Sequence, residues 1–134
     1  MKVLTVGDIV ARPGRKVLID KLGRIQANYN IDFTVVNIEN AAGGFGITEK
    51  ILNQFQTLRI DVMTSGNHIW DKSEALIFID KYPDLLRPHN YPVGTPGTGW
   101  HIKKMSNGAR IGVLNLMGQA FMNPTLDSPF TLAD

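Results

Sequence analysis

Short apolar runs alternate with amphipathic stretches along most of the chain. Residues 2–6, Lys-Val-Leu-Thr-Val, form a β-rich run that Gly7-Asp8 breaks. Pro13 and Gly14 open a helical stretch in which Leu18, Leu22, Ile25 and Tyr29 recur at helical spacing, with Arg15, Lys16, Lys21 and Arg24 elsewhere on its surface. Residues 32–38 are nearly continuously apolar, the pattern of a strand covered on both faces. Thr48 reads as the N-cap of a helix through about Leu58, with Ile51, Phe55 and Leu58 on its buried side. A third strand spans 60–64. A third helix starts near Asp71, where Asp71 and Glu74 stand as a capping-box-like pair, and stops before Pro83.

This β-α-β-α-β-α order predicts a parallel sheet with right-handed crossovers. Residues 82–99 are rich in proline and glycine and read as a loop with one short strand at Leu85-Leu86. Residues 100–105 and 110–117, separated by Ser106-Asn107-Gly108-Ala109, then read as an antiparallel hairpin. The run from Pro129 to Asp134 looks like the opening of a further element. The fold class is α/β, a parallel start plus a hairpin, in a single domain over 1–134.

Composition narrows the chemistry. The chain has no cysteine, so any metal must be held by carboxylate, amide oxygen or imidazole, which favours Mn, Fe, Zn or Mg over softer ions. A net charge of +2, with Lys and Arg scattered, gives no strong nucleic-acid signature. No apolar run approaches the length of a membrane span, and Met1-Lys2 leads directly into a strand, so the expected compartment is the cytoplasm.

Three polar sites end the three predicted strands. Asp8 follows the first, Glu39-Asn40 the second, and Asn67-His68 the third. In an open parallel sheet the carboxyl ends of the strands lie along one edge, where ligands bind. Two carboxylates and an amide gathered there would repel one another without a cation between them, and a divalent metal is the natural occupant. An Asp after a strand is more often a cap or turn residue, and a lone His is more often a packing residue. Glu39 is harder to dismiss, because a carboxylate at the end of a buried strand is costly unless paired. Glycines 43, 44 and 46 allow the backbone after Glu39 to take positive φ and approach a ligand closely.

Four segments together carry a family resemblance: Gly7-Asp8-Ile9-Val10-Ala11-Arg12-Pro13-Gly14-Arg15, Asn37-Ile38-Glu39-Asn40-Ala41-Ala42-Gly43-Gly44, Thr64-Ser65-Gly66-Asn67-His68-Ile69-Trp70-Asp71 and Asn115-Leu116-Met117-Gly118. Gly66-Asn67-His68 resembles the Gly-Asn-His motif of calcineurin-like metallophosphoesterases. The ordered set resembles the bacterial YmdB-type branch, described as 2′,3′-cyclic-nucleotide phosphodiesterases. That resemblance implies a four-layer α-β-β-α sandwich, of which this chain would be the N-terminal half. It implies two divalent ions, Fe or Mn first and Mg or Zn as alternatives. Asp8 and Asn40 would hold one, Glu39 would bridge both, and Asn67 would hold the second. His68 would be the general acid or a phosphate contact. Arg12 and Arg15 are candidates for steadying the substrate phosphate of a cyclic nucleotide or other phosphodiester.

The family also draws metal-binding histidines from a Gly-His-x-His-type motif, and here the histidines are only His68, His89 and His101. His89 and His101 read as loop and surface residues. A half-enzyme would leave sheet surface uncovered, so a homo-oligomer is expected. The competing reading is a non-catalytic nucleotide- or phosphate-binding module of Rossmann-like topology, or an inactive fragment. Gly43-Gly44-Phe45-Gly46 before a helix invites it, although the full Gly-x-Gly-x-x-Gly fingerprint is missing.

Overall fold

The computed structural model describes residues 1–124 and 126–133. Strands β1 (Val3–Val6), β2 (Phe33–Asn37), β3 (Val62–Thr64) and β4 (Leu85–Leu86) form a parallel sheet in the order β1-β2-β3-β4. Helices α1 (Ala11–Tyr29), α2 (Glu49–Gln56) and the single turn α3 (Ala75–Phe78) make the crossovers. Strands β5 (Trp100–Lys104) and β6 (Arg110–Leu114) form a separate antiparallel hairpin, and α4 (Pro129–Ala133) follows.

The period-two alternation of each strand sorts its side chains to opposite faces. Leu4, Val6, Val36, Ile38, Met63 and Leu85 pack with Leu18, Leu22, Leu52, Phe55 and Phe78 from the helices. Phe33, Val62 and Leu86 take the opposite face, where Val35 joins them and Met105, Ile111 and Val113 from the hairpin region cover them. The layers are therefore helices, parallel sheet and hairpin. Both faces of β2 are covered, as its unbroken apolar run implies.

Three helix readings need correction. In α1 the buried residues are Leu18, Leu22 and Gln26, while Ile25 and Tyr29 are exposed. Gln26 is polar and escapes an apolar pattern, yet its amide donates to Thr34 Oγ1 at 2.9 Å and to the Arg59 carbonyl at 2.6 Å, which offsets the cost of its burial. In α2 Thr48 does cap, its hydroxyl accepting from the Ile51 N–H at 3.3 Å, but Leu52 and Phe55 are the buried residues. Asp71 and Glu74 make no capping box. A 3₁₀ turn occupies Asn67–Trp70, the α-helix begins only at Ala75, and Glu74 makes no capping hydrogen bond.

Apolar surface remains open on two sides. Among the described residues β1 pairs only with β2, and Leu4, Val6, Val17 and Ile25 line an apolar groove along that edge. On the hairpin, Trp100, Ile102 and Leu114 are about half exposed on one face. No helix among the described residues is long and apolar enough to cross a membrane.

Candidate active site

The parallel ladder does not stop at the strand ends. The Ile9 N–H donates to the Asn37 carbonyl at 3.0 Å, Ala11 to Asn40 at 2.9 Å, and Ile38 to Thr64 at 3.0 Å. These bonds carry the register beyond β1, β2 and β3 into the connecting loops, so the three polar segments emerge side by side.

Direct contacts join them. The Asn40 amide nitrogen donates to Asp8 Oδ2 at 2.7 Å. Glu39 Oε2 accepts the backbone N–H of His68 at 3.1 Å, and Asn37 Nδ2 lies 3.4 Å from Glu39 Oε1. The Asn37 side chain also accepts the Glu39 N–H at 3.0 Å, turning the chain sharply after β2. Glu39 thus stands between the Asp8–Asn40 pair and the Asn67–His68 segment. Its carboxylate lies directly over Gly66, where an added Cβ would fall 2.6 and 2.7 Å from the two carboxylate oxygens. A side chain at 66 would therefore displace the Glu39 carboxylate, and the φ of −141° lies outside the left-handed region.

His68 is held by a partner that the sequence pattern had assigned to a helix cap. Its Nδ1 lies 2.7 Å from Asp71 Oδ2, which fixes the ring and leaves Nε2 for other partners. Phe45 meets the His68 ring edge-on, with centroids 5.4 Å apart. The remaining motif, Asn115, ties the hairpin to the site. Its amide donates to the carbonyls of Ser65 at 2.8 Å and Leu86 at 3.1 Å.

Among the described residues two buried polar atoms near this cluster, Asn40 Oδ1 and the Tyr91 hydroxyl, have no hydrogen-bond partner. Burial, reinforced by the Glu39 carboxylate, pushes the Tyr91 phenol above its ordinary pKa of 10.0. Tyr91 therefore remains a hydroxyl donor at neutral pH. It lies near Glu39, in the proline-rich loop to which sequence reasoning gave no role. That loop is clamped by Arg87, whose buried guanidinium donates to the carbonyls of Pro88, Thr95 and Pro96 at 2.8, 3.2 and 2.9 Å. Burial lowers the Arg87 pKa below its ordinary value.

The other candidates make no hydrogen bond to the side chains of Asp8, Glu39, Asn40 or Asn67 among the described residues. Arg15 donates to the Ala41 carbonyl, tying α1 to the site loop, and Arg12 is exposed; both line a shallow groove on the flank of α1. His101 sits on β5 opposite Val113. His89 lies in the loop after β4, half-buried, and its Nδ1 has no hydrogen-bond partner among the described residues. Among the described residues no three of His, Cys, Asp or Glu gather to hold a metal. The oxygen donors Asp8, Glu39, Asn40 and Asn67 are nevertheless the right kind for a hard divalent ion, and Asn40 Oδ1 is the atom one would satisfy. In the glycine loop the N–H groups of Ala42, Gly44 and Phe45 bond to carbonyls of the loop itself.

Known proteins resemble the chain over its whole length or nearly so. The chain is 45% identical over 134 residues to a Bacillus subtilis protein named 2′,3′-cyclic-nucleotide 2′-phosphodiesterase, covering all of this chain and 50% of that one. A solved structure of a hypothetical protein from Thermus thermophilus superposes with a TM-score of 0.89 at 35% identity, covering 100% of this chain and 51% of the other. A Mycoplasma pneumoniae structure described as a novel phosphatase gives 0.90 at 26% identity, over 99% of this chain and 49% of its own. The chain thus spans about half the length of the relatives it matches, and its fold corresponds to half of theirs. The model of the YmdB-like protein family matches residues 4–134, and the chain belongs to that family.

Proposed function

We propose that this chain supplies half of the active site of a metal-dependent phosphodiesterase that hydrolyses 2′,3′-cyclic nucleotides or related phosphodiesters. The observation that carries the reading is Asn40, whose amide nitrogen is committed to Asp8 while its carbonyl oxygen is buried without a donor. A hard cation beside the Asp8 carboxylate would satisfy that oxygen. Asp8 and Asn40 would hold one ion, Asn67 a second, and Glu39 would bridge them. Fe or Mn suits these donors, with Mg or Zn as alternatives. When bound, such ions supply polarisation of the phosphoryl oxygens and a water of lowered pKa.

The chain's own residues supply the rest. Glu39 is preorganised by the His68 N–H, so it need not be ordered when its partners arrive. His68, oriented through Nδ1 by Asp71, presents Nε2 to the leaving oxygen and donates a proton there. General-acid assistance of this kind is typically worth ~10²–10⁴-fold. Arg12 is free to meet a substrate phosphate, whereas Arg15 reaches it only by releasing the Ala41 carbonyl.

Asp8, Glu39, Asn40 and Asn67 furnish about five metal bonds when Glu39 bridges, fewer than two ions of four to six coordination require. Further ligands must therefore come from elsewhere, and the apolar β1 edge and hairpin face are suited to a second polypeptide or a second copy. The test uses a chimaera in which this chain replaces the matching half of the Bacillus subtilis phosphodiesterase. It should hydrolyse 2′,3′-cyclic nucleotides with Mn²⁺, and Glu39→Gln should lower both metal content and turnover. Full metal occupancy with unchanged turnover in that variant would overturn the bridging role. Residues 1–134 alone should associate in light scattering and turn over little; brisk turnover by a monodisperse monomer would refute the need for further ligands.

A further inference from the structure

We propose that Phe45 is a stacking platform for the base of a nucleotide substrate, so that the site selects nucleoside phosphodiesters over base-free ones. The inference rests on the phosphodiesterase reading above.

Phe45 is 58% exposed although it belongs to a tightly anchored loop. Ala41, Ala42 and Ile47, which flank it, are buried. The loop closes on itself through Ala42 N–H to Gly46 carbonyl at 2.9 Å and Gly44 N–H to Asn40 carbonyl at 3.1 Å. Gly46, at φ +75°, packs against the turn that carries His68: a Cβ there would fall 2.9 Å from Lys72 Cγ and 3.3 Å from the His68 carbonyl. The backbone therefore fixes the ring at the rim of the site, while the core does not claim it. A large apolar ring held rigidly toward solvent gains free energy only when something flat covers it.

Its orientation suits that role. The Phe45 and His68 rings meet at an interplanar angle of 70°, an edge contact, and Phe45 keeps more than half of its surface open to solvent. A nucleotide with its phosphorus before His68 and Glu39 must send its ribose and base outward, and Phe45 is an apolar surface within reach. Base–aromatic stacking changes affinity by roughly 5- to 150-fold and tolerates any base. A ring that merely steadied His68 would instead affect all phosphoesters alike.

The experiment compares adenosine 3′-monophosphate with 1-O-methylribose 3-phosphate, which carries the same sugar phosphate without the base. Each is titrated by NMR into the chimaera in Mg²⁺, with dissociation constants measured for the wild-type chimaera, Phe45→Ala and Phe45→Trp. The wild type should bind the adenosine ligand roughly 5- to 150-fold more tightly. Phe45→Ala should abolish that preference with the base-free ligand unchanged, and Phe45→Trp should keep it. Equal binding of both ligands by the wild type, or parallel losses for both in Phe45→Ala, would overturn the stacking role alone. If the wild type bound neither ligand, the phosphodiesterase reading would fall and take this inference with it.

Discussion

Substituting Gly66 by Ala probes the centre of the site with a single methyl group. The backbone at 66 has negative φ, so alanine meets no left-handed strain there. The obstacle is Glu39 itself, because the new Cβ would lie 2.6 Å from Oε2 and 2.7 Å from Oε1, inside the 3.0 Å that real Cβ contacts respect. The carboxylate must move, and its 3.1 Å bond from the His68 N–H breaks or lengthens. A hydrogen bond to a charged group contributes ~1.5–3 kcal/mol, and partial exposure of Glu39 brings the expected loss to about 1–2 kcal/mol. In a domain of this size that corresponds to a fall in Tm of about 4–8 °C. Thermal melts followed by circular dichroism measure it. Gly7→Ala is the control, since a Cβ there meets nothing within 4 Å and φ is not positive. Mn²⁺ affinity, read by calorimetry on the same samples, should fall in Gly66→Ala and hold in Gly7→Ala. Unchanged Tm and Mn²⁺ affinity in Gly66→Ala would show that Glu39 is not held where its contacts place it.

His68→Ala in the chimaera should retain its metal yet lose turnover by ~10²–10⁴-fold, with a smaller loss for nitrophenyl esters, whose leaving group needs no proton; equal losses for both substrate types would argue against proton donation. Asp71→Asn should reproduce part of that defect without changing metal content, because it removes the charge that orients the ring through Nδ1; an unaltered rate would show that Asp71 is dispensable. For Tyr91, the folded-state pKa is raised, so the unfolded chain loses its phenolic proton first and stability declines as pH climbs past about 10. Tyr91→Phe should remove that share of the alkaline decline and leave Tm at neutral pH equal or higher, since it deletes a buried hydroxyl without a partner. Parallel loss of Tm in wild type and variant between about pH 9 and about pH 11 would contradict this.

The order of elements was legible because it depends on local pattern. Apolar runs too short for helices, separated by amphipathic stretches with caps and glycine breaks, leave little choice but β-α-β with a parallel sheet, and Thr48 announces its own cap. The gathering of the polar strand ends was legible for a related reason: a parallel sheet sends every strand end to the same edge, so Asp8, Glu39 and Asn67 could be placed together from chain order alone. What tertiary structure decided is how the side chains use that edge. Asp71 reads as a helix cap but turns to His68, because the chain makes a 3₁₀ turn at Asn67–Trp70 before any α-helix begins. Gln26 displaces Ile25 from the core because two acceptors, one 33 residues away, reach it only in the folded chain. Tyr91 comes near Glu39 through a proline-rich loop that carries no periodicity and is shaped by Arg87 and its carbonyls. Hydrophobic period is a property of neighbours in sequence. Hydrogen-bond satisfaction and desolvation are properties of neighbours in space, and only the folded chain supplies those.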